Sequence, residues 1–250
     1  MDALELDGLC KSDGGRAAVD HLSLRVPRGS FFGVLGPNGA GKTTSLSMAV
    51  GLLRPDAGTA RIFDVDVWAA PQQAKALVGV LPDGLAMPER LTGREVLTYI
   101  GLLRGMPVAE VTARAAELLE VLELDGEDRK QVIGYSTGMR KKLGLAVALL
   151  HAPRLLVLDE PFEAVDPVSA ATIRTILGRF IAGGGSVVMS SHVMALVEQL
   201  CDRVAVVAGG QVVAAGTVSE VQAGGTLEDA FVALVGASTR GAEGLAWLSV

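Results

Sequence analysis

The sequence predicts an α/β protein, and three features of its pattern support that prediction. Half of the 250 residues are hydrophobic but only 4% are aromatic, so Ala, Val and Leu dominate the apolar content. Short apolar runs such as FFGVL and LLVL alternate with segments of helical spacing, which is typical of buried parallel strands joined by helices. The alternation stops after Pro82, where only helical patterns follow, and it resumes at Leu155.

The first part of the chain predicts antiparallel strands that lead into the α/β layer. ALELDGL at 3–9 and DHLSLRV at 20–26 alternate apolar and polar residues, as half-buried strands do, with the turn-like SDGG between them. The run SFFGVLG then predicts a fully buried strand. Beyond it, we expect a helix at 44–53 and short strands at 59–63 and 78–82.

The middle of the chain predicts a helical insert. Residues 92–124 have apolar residues at helical spacing, and Thr92 with Glu95 three positions later has the pattern of a capping box. After the insert, we expect strands from Leu155, at 186–192 and at 204–216, the last as a hairpin through Gly209 and Gly210.

These patterns predict one domain over residues 1–225. Its α/β core would comprise 1–84 and 151–225, and residues 85–150 would form an all-helical subdomain inserted into that core. Residues 226–250, which contain the amphipathic piece LEDAFVALVG, would form a short C-terminal tail.

The acidic charge balance argues against a nucleic-acid partner. The net charge is −6, whereas non-specific binding of nucleic acid requires a basic face. The basic run from Arg140 to Lys142 is short, and we interpret it as a solvated helix face. We therefore expect no nucleic acid to bind.

Neither a zinc site nor a membrane-spanning segment is predicted. Cys10 and Cys201 lie far apart and lack His or Cys neighbours at metal-binding spacing, so we interpret both as reduced thiols. We interpret His21 and His151 as structural. The acidic N-terminus does not resemble a signal peptide, and the longest apolar runs are too short to cross a bilayer. A membrane role would therefore require a partner.

A glycine-rich segment predicts a phosphate-binding loop of the Walker A type. It follows the strand-like FFGVL and precedes a predicted helix, which is the context that this motif requires. Backbone N–H groups must wrap the phosphates, and glycines permit that approach and positive φ angles. The lysine would reach the β- and γ-phosphates, and the following threonine would bind Mg²⁺. The segment consists of Gly36, Pro37, Asn38, Gly39, Ala40, Gly41, Lys42, Thr43 and Thr44.

Two adjacent carboxylates end the predicted strand LLVL. Burying two like charges side by side is unfavourable unless a cation offsets them. We expect Asp159 to face an Mg²⁺ ion beside Thr43, and Glu160 to polarise the water that attacks the γ-phosphate. Together with the glycine-rich loop, the pair predicts a nucleoside-triphosphate hydrolase.

The remaining motifs identify the chain as a member of the ATP-binding-cassette family, whose fold is a P-loop NTPase (RecA-like) core with an N-terminal antiparallel β subdomain and a helical insert. EAVDP resembles the family's D-loop, with Asp166 as its acid, and His192 in SSH resembles its switch histidine. YSTGM resembles the signature LSGGQ and matches it at two positions. The signature residues are Tyr135, Ser136, Thr137, Gly138 and Met139.

The resemblance implies a homodimer with two ATP molecules at its interface. Each ATP would lie between the glycine-rich loop of one copy and the signature of the other. His192 would contact the γ-phosphate and hold the water together with Glu160, and Asp83 would join Thr43 and Asp159 around Mg²⁺. The expected cofactors are therefore ATP and Mg²⁺.

Two family positions are altered. Asp13 stands where the family has an aromatic residue that stacks on adenine, so we expect weaker base discrimination, with Val19 supplying a remaining apolar contact. Asp83 stands where the family has Gln, and it can still bind a cation through water.

Three functions are compatible with these motifs. The first is the energy-coupling subunit of an export-type transporter, located on the cytoplasmic side of the cell membrane and bound to a separate integral-membrane permease. Residues 85–106 resemble the segment that contacts the permease in such systems. The second is a soluble cassette ATPase that acts on ribosomes or nucleic acid, and the net charge of −6 disfavours it. The third is a P-loop kinase or GTPase, which the signature and His192 disfavour.

Overall fold

The computed structural model describes residues 2–127 and 129–236, which fold into two β-sheets with helices packed around them. Residues 237–250 of the predicted tail lie outside the described part. The strands are β1 (Asp2–Asp13), β2 (Arg16–Pro27), β3 (Phe31–Leu35), β4 (Ala57–Ile62), β5 (Val65–Asp66), β6 (Val78–Leu81), β7 (Leu155–Leu158), β8 (Ser186–Ser191), β9 (Arg203–Ala208) and β10 (Gln211–Thr217). The helices are α1 (Lys42–Ala49), α2 (Pro71–Leu77), α3 (Gly93–Leu103), α4 (Val108–Val121), α5 (Thr137–Leu149), α6 (Pro167–Ala182), α7 (Met194–Leu200), α8 (Val218–Gln222) and α9 (Leu227–Val235).

The first sheet is antiparallel, as the alternating patterns of its strands predict. Its strand order is β2-β1-β4-β5. One face packs on the larger sheet, because Leu4, Leu22 and Ile62 belong to the same buried cluster as Phe32 and Val188. The other face carries the polar residues of the alternation.

The second sheet forms the centre of the molecule, with the strand order β10-β9-β3-β8-β7-β6. The strands from β9 to β6 are parallel, and β10 pairs antiparallel with β9 at one edge. Every residue of β3, β7 and β8 is buried, which explains their continuous apolar runs. Gly209 and Gly210 both have positive φ between β9 and β10, so the predicted hairpin is confirmed.

The helices α3, α4 and α5 pack against one another, and α5 also packs on β6. The capping box is confirmed, because the Thr92 hydroxyl accepts from the Glu95 N–H and the Glu95 carboxylate accepts from the Thr92 N–H. The described residues include no helix that is both long enough and apolar enough to cross a bilayer.

The helix α1 is shorter than the sequence predicts. It begins at Lys42 and ends at Ala49, whereas the pattern extends it to residue 53. Gly51 has a φ of 78°, a left-handed conformation that terminates a helix. The apolar periodicity continues past this point only because Leu53 packs against the core from a turn.

His151 is structural, as expected from the sequence. Its Nε2 atom donates to the Val78 carbonyl oxygen at 3.0 Å. Burial, reinforced by the positive charge of Arg104, lowers the pKa of His151 to about 4.

Lowering the pH from 7 to 5 should therefore reduce the free energy of unfolding through His151. In the unfolded chain this side chain takes up a proton near pH 6.5, whereas in the folded protein it stays neutral until about pH 4. The unfolded state binds more protons in this window, so stability falls as the pH falls. Urea unfolding of the wild type and His151→Gln at both pH values measures the effect. The wild type should lose more stability than the variant, and equal losses would contradict the prediction.

Candidate active site

The glycine-rich loop connects β3 to α1, and its glycines are required for two different reasons. Gly39 and Gly41 have φ angles of 79° and 101°, which L side chains rarely adopt. A Cβ at Gly41 would also lie 2.5 Å from the Ala18 carbonyl oxygen. Gly36 does not have a positive φ, but a Cβ there would collide with the Val207 carbonyl oxygen.

Lys42 is the buried cation of this loop, with 6% of its surface exposed. Its ammonium group donates to the carbonyl oxygens of Gly36 at 2.7 Å and Pro37 at 3.3 Å. It also lies 3.8 Å from Glu160 Oε1. The loop therefore holds a positive charge at its centre, opposite a carboxylate.

A cavity of about 460 Å³ opens above the loop, and we call it the loop cavity. The sequence predicts most of its walls, including eight loop residues from Pro37 to Thr44, together with Asp83, Glu160 and His192. It does not predict Ala18 and Glu163, which complete the lining. Glu163 is the first residue of the EAVDP segment, three positions before Asp166. Its place in this segment is the sequence signal that indicates it.

Glu160 and His192 form a hydrogen-bonded pair at the edge of the loop cavity. His192 Nδ1 lies 3.0 Å from Glu160 Oε2, and the Glu160 side chain is 13% exposed. Glu160 has a φ of 45°, a strained conformation for a residue other than glycine. Its N–H donates to Ser190 Oγ at 2.9 Å, which helps to hold that conformation. A carboxylate oriented by histidine in this way can accept a proton from water.

Asp159 lies deeper than Glu160, with 4% of its surface exposed. The Ser190 hydroxyl donates to Asp159 Oδ1, so one serine organises both carboxylate residues. Asp159 is not among the residues that line the loop cavity; it borders a small adjacent cleft beside Leu46. Asp83 does reach the loop cavity, and its Oδ1 accepts from the Gly84 N–H at 2.9 Å.

The interpretation of residues 140–142 as a solvated helix face is wrong for both lysines. The side chains of Lys141 and Lys142 are only 14% and 6% exposed. Lys142 forms an ion pair with Glu123 at 2.9 Å, and this hydrogen bond lowers the pKa of Glu123. Lys141 donates to the Glu160 carbonyl oxygen at 2.8 Å and lies 3.9 Å from Asp83 Oδ1. Lys141 therefore connects α5 to two segments of the loop cavity.

The signature residues do not line the loop cavity of their own chain. Ser136 and Thr137 are exposed at the N-terminus of α5, where Ser136 Oγ accepts from the Met139 N–H at 3.2 Å, whereas Tyr135 is buried. Gly138 packs so tightly that a Cβ would lie 2.8 Å from Asp166 Oδ2. The signature and the D-loop of one chain are therefore in direct contact.

Asp166 caps α6 and accepts hydrogen bonds from the backbone of Ser169 and Val168 at 3.0 Å and 3.1 Å. These bonds, with that from Ser169 the largest cause, lower the pKa of Asp166. The carboxylate is therefore already engaged in positioning the D-loop.

The expected base contact from Val19 is wrong. Val19 is 1% exposed, because it packs beneath Gly41. Ala18, one residue earlier, lines the loop cavity instead. Asp13 lies at the exposed end of β1, and its effect on base discrimination stays a prediction.

Comparisons with known proteins agree with this geometry. The ABC transporter family model matches residues 19–163. The daunorubicin/doxorubicin resistance ATP-binding protein DrrA of Streptomyces peucetius is 40% identical over 88% of this chain and 67% of its own length. The Nod factor export ATP-binding protein I of Paraburkholderia xenovorans (strain LB400) is 38% identical over 87% of this chain and 71% of its own.

Solved structures give the same assignment. The structure of an ATP-binding subunit of an ABC transporter superposes with a TM-score of 0.85 at 26% identity, covering 93% of this chain and 99% of the other. The glycine-rich loop, the Glu160–His192 pair and these matches together show that the chain belongs to the ABC transporter family, as an ATP-binding ATPase with the P-loop NTPase fold.

Proposed function

We propose that the chain is the ATP-hydrolysing subunit of an export-type transporter, that it acts as a homodimer, and that a separate integral-membrane permease carries the substrate. The observation on which this depends most is the Glu160–His192 pair, 3.0 Å apart at the edge of the loop cavity. The relatives named for drug resistance and for Nod factor export support export.

In the proposed reaction, Glu160 accepts a proton from the water that attacks the γ-phosphate. His192 holds the Glu160 carboxylate through Oε2, and the strained Glu160 backbone is fixed by Ser190 and Lys141. Lys42 lies 3.8 Å from the same carboxylate, where it can exchange its present carbonyl partners for phosphate oxygens. The chain thus supplies a base, an orienting group and a cation around one cavity.

The oxygen ligands near the loop suit Mg²⁺. The Thr43 hydroxyl and the carboxylates of Asp159 and Asp83 are hard donors, which Mg²⁺ prefers. Asp159 is deeply buried and accepts a hydrogen bond from the Ser190 hydroxyl, and a cation beside Thr43 would offset its negative charge. When bound, the ion would neutralise negative charge on the phosphates.

The proposed homodimer places the signature of one copy over the loop cavity of the other. Ser136 and Thr137 are exposed and do not line the loop cavity of their own chain, so they are available to a second copy. The first turn of α5 has no acidic residue of its own, and the N–H groups at the positive end of its helix dipole favour a phosphate.

Lys141 is a positioning residue in this scheme, and its replacement gives a testable result. Lys141→Met should lower kcat for ATP hydrolysis by about tenfold with little change in KM, because the charged hydrogen bond to the Glu160 backbone is lost while the loop is intact. Steady-state kinetics measure both constants.

Two control variants separate this role from a structural one. Lys141→Arg should restore most of kcat. Lys11→Met should change little, because Lys11 pairs with Asp56 on the first sheet, outside the loop cavity. A rise in KM without a fall in kcat for Lys141→Met would contradict a positioning role.

The proposed permease contact lies on α3 and its surroundings. Tyr99, Leu102 and Leu103 are 49%, 47% and 66% exposed, an unusual concentration of large apolar side chains on one helix. Beside them, a groove of about 740 Å³ is lined by Ile100, Leu103 and Met106 and by the cations Lys75 and Arg104. An amphipathic cytoplasmic segment with acidic residues would match this combination.

Membrane fractionation tests the transporter assignment. The tagged chain, expressed in its native host, should sediment with membranes and co-purify with an integral-membrane protein. Leu103→Asp should release it into the cytosol, whereas Val232→Asp, on the exposed face of α9, should leave it membrane-bound. Recovery of the wild type only in the cytosol, without an integral partner, would contradict the proposal.

A further inference from the structure

A cysteine, an aspartate and a histidine meet on the first sheet, away from the loop cavity. The candidate ligand atoms of Cys10, Asp20 and His21 all lie within 4.8 Å of one another. In the described part of the chain, this is the one group of three such residues that close together. Sequence spacing does not predict this cluster, because Cys10 is on β1 and the other two residues are on β2.

A bulge in the β1–β2 pairing produces this cluster. Leu9 pairs with Leu22 and Lys11 pairs with Val19, so Cys10 alone faces two residues of β2. In a regular ladder, neighbouring side chains point to opposite faces, and only one of the two would reach Cys10. The extra residue bends β2 locally and changes the direction of its side chains. His21 has the positive φ of 50° that accompanies the irregularity.

The three side chains are already oriented by hydrogen bonds. His21 Nδ1 lies 2.7 Å from Asp20 Oδ1, and the other Asp20 oxygen accepts from Gln211 Nε2 at 2.7 Å. Cys10 Sγ accepts from the His21 N–H at 3.3 Å. A carboxylate held through its outer oxygen and a sulfur that receives a backbone N–H are features of the shell around bound zinc.

We propose that Cys10, Asp20 and His21 form a binding site for Zn²⁺ or a similar borderline divalent cation. One sulfur, one nitrogen and one oxygen ligand suit such a metal, and water would take the fourth tetrahedral position. A bound zinc ion would separate His21 Nδ1 and Asp20 Oδ1, now 2.7 Å apart, to about 3.3 Å and would replace the hydrogen bond between them. Binding releases the Cys10 proton to solvent, and neutral His21 binds through Nδ1.

The proposed site is separate from the loop cavity but connected to it. None of its three ligands lines the loop cavity. The Asp20 N–H donates to the Gly210 carbonyl oxygen at 3.0 Å, and the Gly210 N–H donates to the Ala40 carbonyl oxygen of the glycine-rich loop at 3.0 Å. The metal would therefore cross-link β1 and β2 next to the glycine-rich loop, and it would not occupy the loop cavity.

Cobalt titration tests the proposal directly. Co²⁺ added to the chelator-treated full chain should produce a thiolate-to-cobalt absorption band in the near ultraviolet that saturates at one ion per chain, and Zn²⁺ should abolish it. Oxygen ligands around a nucleotide cannot produce this band, so the result is independent of ATPase activity. Absence of the band would overturn the proposal.

Matched variants assign the band to its ligands. Cys10→Ser should eliminate it, whereas Cys201→Ala, which removes the buried thiol, should retain it. His21→Asn, which tolerates the positive φ of this exposed position, and Gln211→Ala should each lower the metal affinity by about tenfold or more. ATP hydrolysis by Cys10→Ser shows that the variant is folded. A band that persists in Cys10→Ser would overturn the assignment.

Discussion

Replacing Glu160 with Gln should lower kcat for ATP hydrolysis by at least about a hundredfold while nucleotide affinity stays nearly constant. The amide keeps the size of the side chain and can still contact His192, but it cannot accept a proton from water. Glu160 Oε2 lies 3.0 Å from His192 Nδ1, and the carboxylate is mostly buried at the edge of the loop cavity. Phosphate release gives kcat, and titration with a fluorescent nucleotide gives the affinity.

Glu163→Gln is the matched control for this experiment. Glu163 lines the same cavity, so its replacement removes the same charge from that cavity. Only Glu160 of the two has the hydrogen bond to His192. A similar fall in kcat for both variants would mean that the negative charge of the cavity matters and that a specific base does not.

Replacing Lys42 with Ala should weaken ATP binding by about a hundredfold. The ammonium group is the buried cation of the loop, and its charged hydrogen bonds to phosphate oxygens are worth about 2 to 3 kcal/mol. Without it, the phosphates would also face the Glu160 carboxylate, now 3.8 Å from Lys42, without a fixed positive charge between them. Equilibrium binding of ATP and ADP measures the loss.

Lys11→Ala provides the comparison for Lys42. Lys11 pairs with Asp56 on the first sheet, outside the loop cavity, and its removal changes the net charge by the same amount. The ATP affinity of the Lys11→Ala variant should match that of the wild type. Unchanged ATP affinity in Lys42→Ala, or an equal loss in both variants, would contradict the role assigned to the loop lysine.

The central features of the fold follow from local sequence patterns. The fully buried strands β3 and β7 read as continuous apolar runs because both of their faces are covered. The glycine-rich loop can be predicted from the sequence because Gly39 and Gly41 adopt positive φ angles that other residues disfavour.

Tertiary contacts between distant segments are what the sequence did not reveal. In the sequence, Lys141 and Lys142 have the pattern of a solvated basic run. In the fold, Lys141 contacts Asp83 and the Glu160 carbonyl oxygen, and Lys142 contacts Glu123. The Cys10 cluster depends on a one-residue irregularity in strand pairing, which no local pattern of β1 or β2 encodes.

The measurement that tests the account most directly is the oligomeric state of Glu160→Gln in Mg-ATP. If ATP binds between the loop cavity of one copy and the Ser136 end of α5 of another, size-exclusion chromatography with light scattering should show a dimer with ATP and a monomer with ADP. Adding Ser136→Arg should prevent the dimer. A Glu160→Gln protein that remains monomeric at saturating ATP would contradict the account.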